Sequence, residues 1–187
     1  MPHATSTLSN VFSAAGKVLE VVLVDGRVEV TLQSSVTVRA TYAGRYLRLL
    51  QDKSARHEYA SVRGSLSSDA SLDPLVPVIH GWNPEKFFVP PSRSELDTPP
   101  WGRLIGRVIE KLPKRLFRLA VETSFKGKVY ESVFTLGVAL PVKRLFDALV
   151  KVGSRIGASV TLTGEYRWPY DGIPRAVAIN LLEQERP

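Results

Sequence analysis

Cysteine is absent from this 187-residue sequence, and histidine occurs only three times. Without cysteine the chain cannot form a disulfide, a thiolate metal site or a cysteine nucleophile. His3, His57 and His80 are far apart and show none of the spacings that are typical of metal ligands. The composition therefore predicts no metal ion and no other cofactor.

Long apolar runs and catalytic motifs are missing as well. No stretch approaches the ~20 apolar residues that a membrane-spanning helix needs. Residues 1–10 lack the charged and apolar regions of a signal peptide. No G-x-S-x-G motif, phosphate-binding loop or dinucleotide-binding motif is present. We predict a cytoplasmic protein that is not an enzyme and has no membrane partner.

Positive charge is in excess. Lys and Arg number 25 against 18 Asp and Glu, which gives a formal net charge of +7. Residues 103–128 hold many of the cations and only two acids, Glu110 and Glu122. The cations of this stretch are Arg103, Arg107, Lys111, Lys114, Arg115, Arg118, Lys126 and Lys128. Such a local excess favours a polyanionic partner, with nucleic acid ahead of acidic lipid, over an ordinary basic surface.

Alternating apolar and polar residues predict short strands in the first half of the chain. The strands are expected over residues 16–24, 27–32, 36–42, 57–63 and 75–82, with a short helix over 45–53. Asp25-Gly26 is a typical hairpin turn between the first two strands. Residues 83–101 are rich in proline and therefore predict a semi-rigid, extended linker.

The pattern starts again after the linker. Residues 106–110 (Gly-Arg-Val-Ile-Glu) match residues 16–20 (Gly-Lys-Val-Leu-Glu) at an offset of 106 − 16 = 90. A strand over residues 129–137, an amphipathic helix over 142–152 and strands over 158–163 and 173–182 follow. We interpret the two halves as an internal duplication.

Each half thus has the element order β-β-β-α-β-β, which is that of an OB-fold barrel. We predict an all-β protein with short helices, built as two OB-like five-stranded barrels in tandem. One larger mixed α/β domain is the competing architecture. The predicted boundaries are an N-terminal arm at residues 1–15, a first OB-like domain at 16–83, a Pro-rich linker at 84–102 and a second OB-like domain at 103–184.

The order of motifs in the second half matches a known family. Tyr130 stands near the start of a strand that ends in Gly137, and the predicted helix follows. A strand of the pattern Val-x-Leu-x-Gly ends at Gly164, and a hairpin that carries Trp168 comes next. In this order residues 106–183 resemble the bacterial-type single-stranded DNA-binding protein (SSB), an OB-fold family, and the first half resembles it more faintly.

The resemblance implies a function and a location. It implies sequence-independent binding of single-stranded DNA in replication, recombination or repair, without catalysis. It also implies a nucleoid-associated protein. Two barrels in each chain would make a homodimer equivalent to the four-barrel assembly of the family.

Aromatic and basic residues interleave in both halves, as a single-strand site requires. Each base stacked on a ring contributes ~1–3 kcal/mol, and cations neutralise the phosphates. In the second half the predicted nucleic-acid-binding residues are Lys126, Lys128, Tyr130, Tyr166, Arg167, Trp168, Tyr170 and Arg175. In the first half they are Arg39, Tyr42, Tyr59 and Arg63. Core packing is the alternative for each ring, and it is the prediction for Phe117, Phe134 and Phe146.

Other roles stay open. Trp82 and Trp101 border the linker and are predicted to pack the two halves together. The whole chain could be a non-catalytic OB-fold scaffold subunit that mediates protein–protein contacts in a replication-type complex. It could also be an RNA-binding OB protein, because the sequence does not separate DNA from RNA as the partner.

Overall fold

The computed structural model describes residues 9–68, 76–86, 91–125, 128–162 and 173–182. The first half contains β1 (Asn10–Val24), β2 (Arg27–Gln33), β3 (Thr37–Ala43), α1 (Leu47–Ser54), β4 (Tyr59–Leu66) and β5 (Val78–Gly81). A single turn, α2 (Arg93–Leu96), lies between the halves. The second half contains β6 (Trp101–Leu112), β7 (Leu116–Phe125), β8 (Lys128–Val138), α3 (Leu140–Lys143), α4 (Phe146–Leu149), β9 (Arg155–Thr161) and β10 (Arg175–Leu181). Strands dominate and helices are short, which confirms the all-β prediction. Within these ranges no helix combines the length and apolarity needed to cross a bilayer.

The strands of each half pair in a closed cycle. In the first half β1 pairs with β2, β2 with β3, β3 with β5, β5 with β4, and β4 again with β1. In the second half β6, β7, β8, β10 and β9 pair in the same order, and β9 returns to β6. The repeated cycle is the connectivity that a five-stranded OB-like barrel requires.

One continuous ten-stranded sheet joins the two cycles, because β1 also pairs with β6. The ring of Phe12 lies directly over Gly102, where an added Cβ would come within 2.5 Å of the ring. The halves therefore meet through a strand ladder as well as through the predicted linker. Trp101 lies opposite Ser13 in this ladder, yet its side chain is 56% exposed. Its ring does not fill the space between the halves, in contrast to the prediction.

Gly16 and Gly106 occupy equivalent positions in the first strand of each half, where that strand passes from one neighbour to the next. A Cβ on Gly16 would lie 2.4 Å from the carbonyl oxygen of Gln33. A Cβ on Gly106 would lie 2.2 Å from the carbonyl oxygen of Ala120. Both contacts are too short for any side chain, so glycine allows the close approach that closes each cycle.

A β-bulge follows each of these glycines. The register shifts between Val18 and Glu20 in β1, and between Val108 and Glu110 in β6. The two bulges are therefore 108 − 18 = 90 residues apart, which is the offset of the repeated sequence motif. The matching five residues form the same bent and bulged strand in both halves.

The core is a continuous cluster of buried apolar side chains from both halves. Phe117, Phe134 and Phe146 are buried, as predicted. The rings of Phe117 and Phe146 are 6.3 Å apart between centroids, which brings α4 against the strands. Since the cluster crosses the β1–β6 joint, we expect the two halves to unfold together.

The single helix predicted after β8 is replaced by two separate turns, α3 and α4. Val142, Phe146 and Val150 are buried, and they are spaced by four residues. Leu145, which the pattern placed on the same apolar face, is exposed between the turns. The buried stripe is thus too narrow to hold a continuous helix against the sheet. Gly153 follows these turns with φ +88°, and its N–H donates to the carbonyl of Val108.

Residues 10–15, assigned to an arm from the sequence, form the start of β1. Phe12 and Ala14 are buried there. The side-chain amide of Asn10 is also buried and exchanges two hydrogen bonds of 2.9 Å with the backbone of Leu66. That amide extends the β1–β4 ladder from the last backbone pair, Phe12 and Gly64, to the end of β4. Its carbonyl and NH₂ groups replace the backbone partners that this end would otherwise lack.

Lys111 on β6 forms an ion pair with α4. Its Nζ is 2.8 Å from Oδ1 of Asp147 and 4.8 Å from the ring centroid of Phe146. The hydrogen bond from Lys111, and then its charge, hold the pKa of Asp147 below its usual value. We expect Lys111→Met to raise that pKa to the usual range, as measured by NMR titration of the carboxyl carbon.

This pair makes a small, pH-dependent contribution to stability. Because the pKa of Asp147 is lowered in the folded protein, the contribution is present above the pKa of the unfolded carboxyl. It is lost as the pH falls through the lower, folded value. Solvent screening keeps it modest, since Asp147 is exposed. An Asp147 midpoint that is the same in both proteins would rule out the ion pair.

Candidate nucleic-acid interface

OB folds bind nucleic acid on the face of their second and third strands and on the loops beside it. In this chain the corresponding strands are β2 and β3 in the first half and β7 and β8 in the second. The segments between the fourth and fifth strands are residues 67–77 and 162–174. The predicted binding residues can be located against this face one group at a time.

The β7–β8 hairpin presents a tyrosine and a lysine on one side. Tyr130 lies opposite Thr123 and is 50% exposed, and Lys128 is exposed two residues earlier. Residues two apart in a strand share a face, so both side chains project from the same side. Val121, on the same face, is fully buried. Tyr130 and Lys128 therefore continue the inner face of the hairpin beyond the end of the core.

The corresponding strands of the first half have a different character. Arg39 on β3 faces outward, but its Nε is 3.4 Å from Oε2 of Glu29 on β2. Tyr42 is only 5% exposed, and its ring packs against Gly81. Burial raises the pKa of Tyr42. Of the two residues predicted to bind here, Arg39 is engaged in an ion pair and Tyr42 belongs to the core.

Tyr59 and Arg63 lie on β4, away from the β2–β3 face. Both side chains point outward on the same side, and Tyr59 is 41% exposed. Tyr59 is the cross-strand partner of Lys17, whose Nζ is 2.8 Å from Oε1 of Glu58. Hydrogen bonding and charge from Glu58 raise the pKa of Lys17. The structure thus groups a ring with cations on β1 and β4.

The remaining predicted residues belong mainly to two connections. Lys126, between β7 and β8, lies outside the described residues. Tyr166, Arg167, Trp168 and Tyr170, between β9 and β10, also lie outside them, and their role stays a prediction. Arg175 is half-buried at the start of β10, opposite Gly137 and Thr161. It therefore marks the base of that connection.

A cleft of about 1270 Å³ lies between the two halves. Three exposed arginines line it: Arg27 from β2, Arg107 from β6 and Arg155 from β9. Arg107 and Arg155 are direct cross-strand partners. Like charges in that position repel each other, and an anion between them would relieve the repulsion. Arg27 and Arg155 lie far from Arg107 in the sequence, and only the register of the folded sheet makes Arg107 and Arg155 partners.

Acidic residues line the same cleft. Glu122 on β7 and Glu131 on β8 are cross-strand partners there, and Glu29 lies two residues from Arg27 on β2. The cleft therefore holds arginines and acids on neighbouring positions of one sheet. Throughout the described ranges, no three acidic or histidine side chains are grouped as metal ligands would be. A phosphate chain would lie along Arg107 and Arg155.

No family model matches the sequence, and no curated protein matches it. Among solved structures, the wild-type single-stranded DNA binding protein from Thermus aquaticus superposes on this chain. The TM-score is 0.56 at 12% sequence identity, over 95% of each chain. The two proteins share a fold. The tetrameric p202 HIN2 also matches, at 10% identity over 92% of this chain and 91% of that one, but with a TM-score of 0.26 it supports no conclusion.

The shared fold extends over both halves of the chain. A superposition that covers 95% of each chain includes both cycles of strands and the joint between them. At 12% identity it shows the SSB-like OB fold alone. The fold part of the family resemblance is thereby confirmed.

Proposed function

We propose that this protein binds single-stranded DNA without regard to sequence, as a non-catalytic factor in replication, recombination or repair. The protein from Thermus that shares its fold is a single-stranded DNA binding protein. The observation that carries the proposal furthest is the exposed ring of Tyr130 beside Lys128 on the β7–β8 hairpin. This pair combines stacking and charge on the strands that OB folds use for nucleic acids.

The mechanism needs only stacking and charge neutralisation. Bases of an unpaired strand expose their faces, and a base stacked on Tyr130 gains ~1–3 kcal/mol whatever its identity. Lys128 lies two residues, or about 7 Å, along the strand, where it neutralises a neighbouring phosphate. Because every base has a flat face, this binding is independent of sequence.

The two halves contribute unequally in this proposal. The second half supplies Tyr130 and the arginines of β6 and β9. The strands β2 and β3 of the first half offer an outward-facing, ion-paired Arg39 and a buried Tyr42. A DNA strand bound there would have to break the Arg39–Glu29 ion pair. We therefore assign the stronger contacts to the second half.

Replacing Tyr130 with alanine should weaken binding of a fluorescein-labelled oligothymidylate by about 5- to 150-fold, the equivalent of one lost stack. Fluorescence anisotropy at fixed low salt measures this effect. Tyr130 is exposed, so the fold should survive the change.

Leu145→Ala is the matched control, because it removes an exposed side chain of similar exposure far from the hairpin. Its affinity should equal that of the unmodified protein. If Tyr130→Ala binds as tightly as Leu145→Ala, the hairpin is not the stacking surface.

An oligouridylate of equal length distinguishes DNA binding from RNA binding, because only RNA offers a 2′-hydroxyl.

A protein-binding scaffold is the second candidate, and a specific surface favours it. Leu19, Leu23 and Val24 are exposed on the β1–β2 hairpin. Exposed aliphatic side chains of this kind, which we call the aliphatic strip, are typical of protein interfaces. The homodimer expected from the sequence remains a prediction. Sedimentation equilibrium of Leu19→Asp/Leu23→Asp against the unmodified chain tests both the homodimer and the use of this surface as an interface. An unchanged mass would leave this strip without an assigned partner.

A further inference from the structure

Four side chains line up across three neighbouring strands and the residue that follows a fourth, β5, on the side of the sheet near α2. Arg63 on β4 is the cross-strand partner of Ser13 on β1, and Ser13 is the partner of Trp101 on β6. On the other side of Arg63, the N–H of Trp82 donates to its carbonyl at 2.8 Å. Trp82, Arg63, Ser13 and Trp101 form what we call the tryptophan row.

The tryptophan row forms the floor of a pocket of about 760 Å³. This volume is in the range of ligand pockets, about 300–1,000 Å³. The wall is the turn around α2, from which Ser94 and Thr98 line the pocket. Two indole rings and a few polar groups are the composition expected of a site for a flat, partly polar molecule.

The charge of the pocket favours an anionic ligand. Arg63 and Lys86 line it and are exposed. Within the described part of the chain Arg63 has no acidic partner. The one acid of the lining, Glu95, accepts hydrogen bonds from the N–H of Ser92 at 2.7 Å and from its hydroxyl at 2.8 Å. That carboxylate is thus committed to holding α2.

The spacing of the row sets the size of the ligand. Neighbouring strands are about 4.8 Å apart, so Trp82 and Trp101 are separated by three spacings, or about 14 Å. One base cannot touch both rings at that distance. A strand of at least two nucleotides can, and its phosphate would then lie over Arg63. A free mononucleotide could occupy only one end of the row.

We propose that the tryptophan row binds two or three consecutive nucleotides of a single strand, with bases on Trp101 and Trp82 and a phosphate on Arg63. Trp82 also lines the arginine cleft, so the row continues that surface around the joint between the halves. The inference rests on the proposed function and extends it to a side of the sheet that is outside the β2–β3 and β7–β8 faces.

The test uses a protein in which Trp101 is the only tryptophan, Trp82→Phe/Trp168→Phe. Adding an oligothymidylate should quench its emission in step with the rise in oligonucleotide anisotropy.

In the otherwise unmodified protein, Trp101→Ala should lose about fivefold or more in affinity, and Trp101→Phe less, because a ring remains. Arg63→Ala should reduce the slope of log K against log salt by about 0.7, the value of one single-strand phosphate contact. Arg48→Ala, an exposed arginine on α1, should leave the slope unchanged.

The outcomes separate the two proposals. Tight binding by anisotropy without quenching of Trp101, or with an unchanged slope in Arg63→Ala, would overturn the tryptophan row while single-strand binding stands. Quenching of Trp101 in the single-tryptophan protein and a loss of affinity in Trp101→Ala, together with full binding by Tyr130→Ala, would place the site on the row alone. Absence of any oligonucleotide binding would overturn both.

Discussion

Gly106→Ala should destabilise the protein by about 1–3 kcal/mol, the range of an overpacked contact that only a backbone shift can relieve. The added methyl would lie 2.2 Å from the carbonyl oxygen of Ala120 and 3.1 Å from Cγ of Leu119. A backbone oxygen cannot turn aside as a side chain can. The pairing of β6 with β7 must therefore open, and with it the closed cycle of the second half. Urea unfolding followed by circular dichroism measures the loss.

Gly137→Ala provides the matched control. Gly137 also lies in a strand, but a Cβ there would meet its nearest neighbour, Cδ2 of Leu116, at an ordinary 3.4 Å. Alanine restricts the unfolded chain more than glycine does, so this change should be neutral or slightly stabilising. Equal midpoints for Gly106→Ala and Gly137→Ala would show that the close approach of β6 to β7 does not hold the fold together.

Salt should weaken binding to single-stranded DNA steeply. Six exposed cations on the hairpin, in the cleft and beside the tryptophan row have no acidic partner among the described residues: Arg27, Arg63, Arg103, Arg107, Lys128 and Arg155. Six phosphate contacts to a single strand give a slope of about −4 in log K against log salt. The affinity should then fall by about 300-fold between 50 and 200 mM salt. A titration series by anisotropy measures the slope.

The response to salt also separates nucleic-acid binding from the scaffold alternative. A protein partner on the aliphatic strip of the β1–β2 hairpin would bind through apolar contacts, and its affinity would hardly change with salt. Arg107→Ala/Arg155→Ala should lower the slope by about 1.4, because two phosphate contacts are lost. A slope near zero for the unmodified protein would contradict the electrostatic part of the proposal.

The strand pattern could be predicted from the sequence because alternation reports burial directly. Val28, Val30 and Leu32 alternate with polar residues, and their side chains are buried in β2. The same alternation also predicts that Tyr42 is buried. That residue is in phase with Val38 and Ala40, so period-two alternation places it in the core with them.

The helix between β8 and β9 shows where a pattern of apolar residues misleads. The spacing of three and four that includes Leu145 predicts one amphipathic helix. Val142, Phe146 and Val150 are buried and Leu149 packs partly against the core, but Leu145 is left exposed. A sequence pattern describes the face that a helix could bury. It does not describe the area that the sheet has left uncovered.

The candidate site was less predictable than the fold because it depends on register between distant strands. Arg107 and Arg155 are partners across a ladder, and so are Ser13 and Trp101. No local pattern encodes these pairs. The joint between β1 and β6 could not be predicted either, because the sequence places Asn10 and Phe12 in an N-terminal arm. Tyr130 and Lys128 could be predicted because they lie close together in one strand.

The most direct measurement compares a single strand with its own duplex. A labelled oligothymidylate bound to the protein at low salt is displaced by unlabelled oligothymidylate or by the blunt duplex of equal length. Bases in a duplex hide the faces that Tyr130 would stack on, whereas phosphates remain available. We predict that the single strand competes at least about tenfold better, the equivalent of one stacked base. Equal competition by single strand and duplex, or no binding of either, would contradict the proposal that exposed rings on this fold bind an unpaired strand.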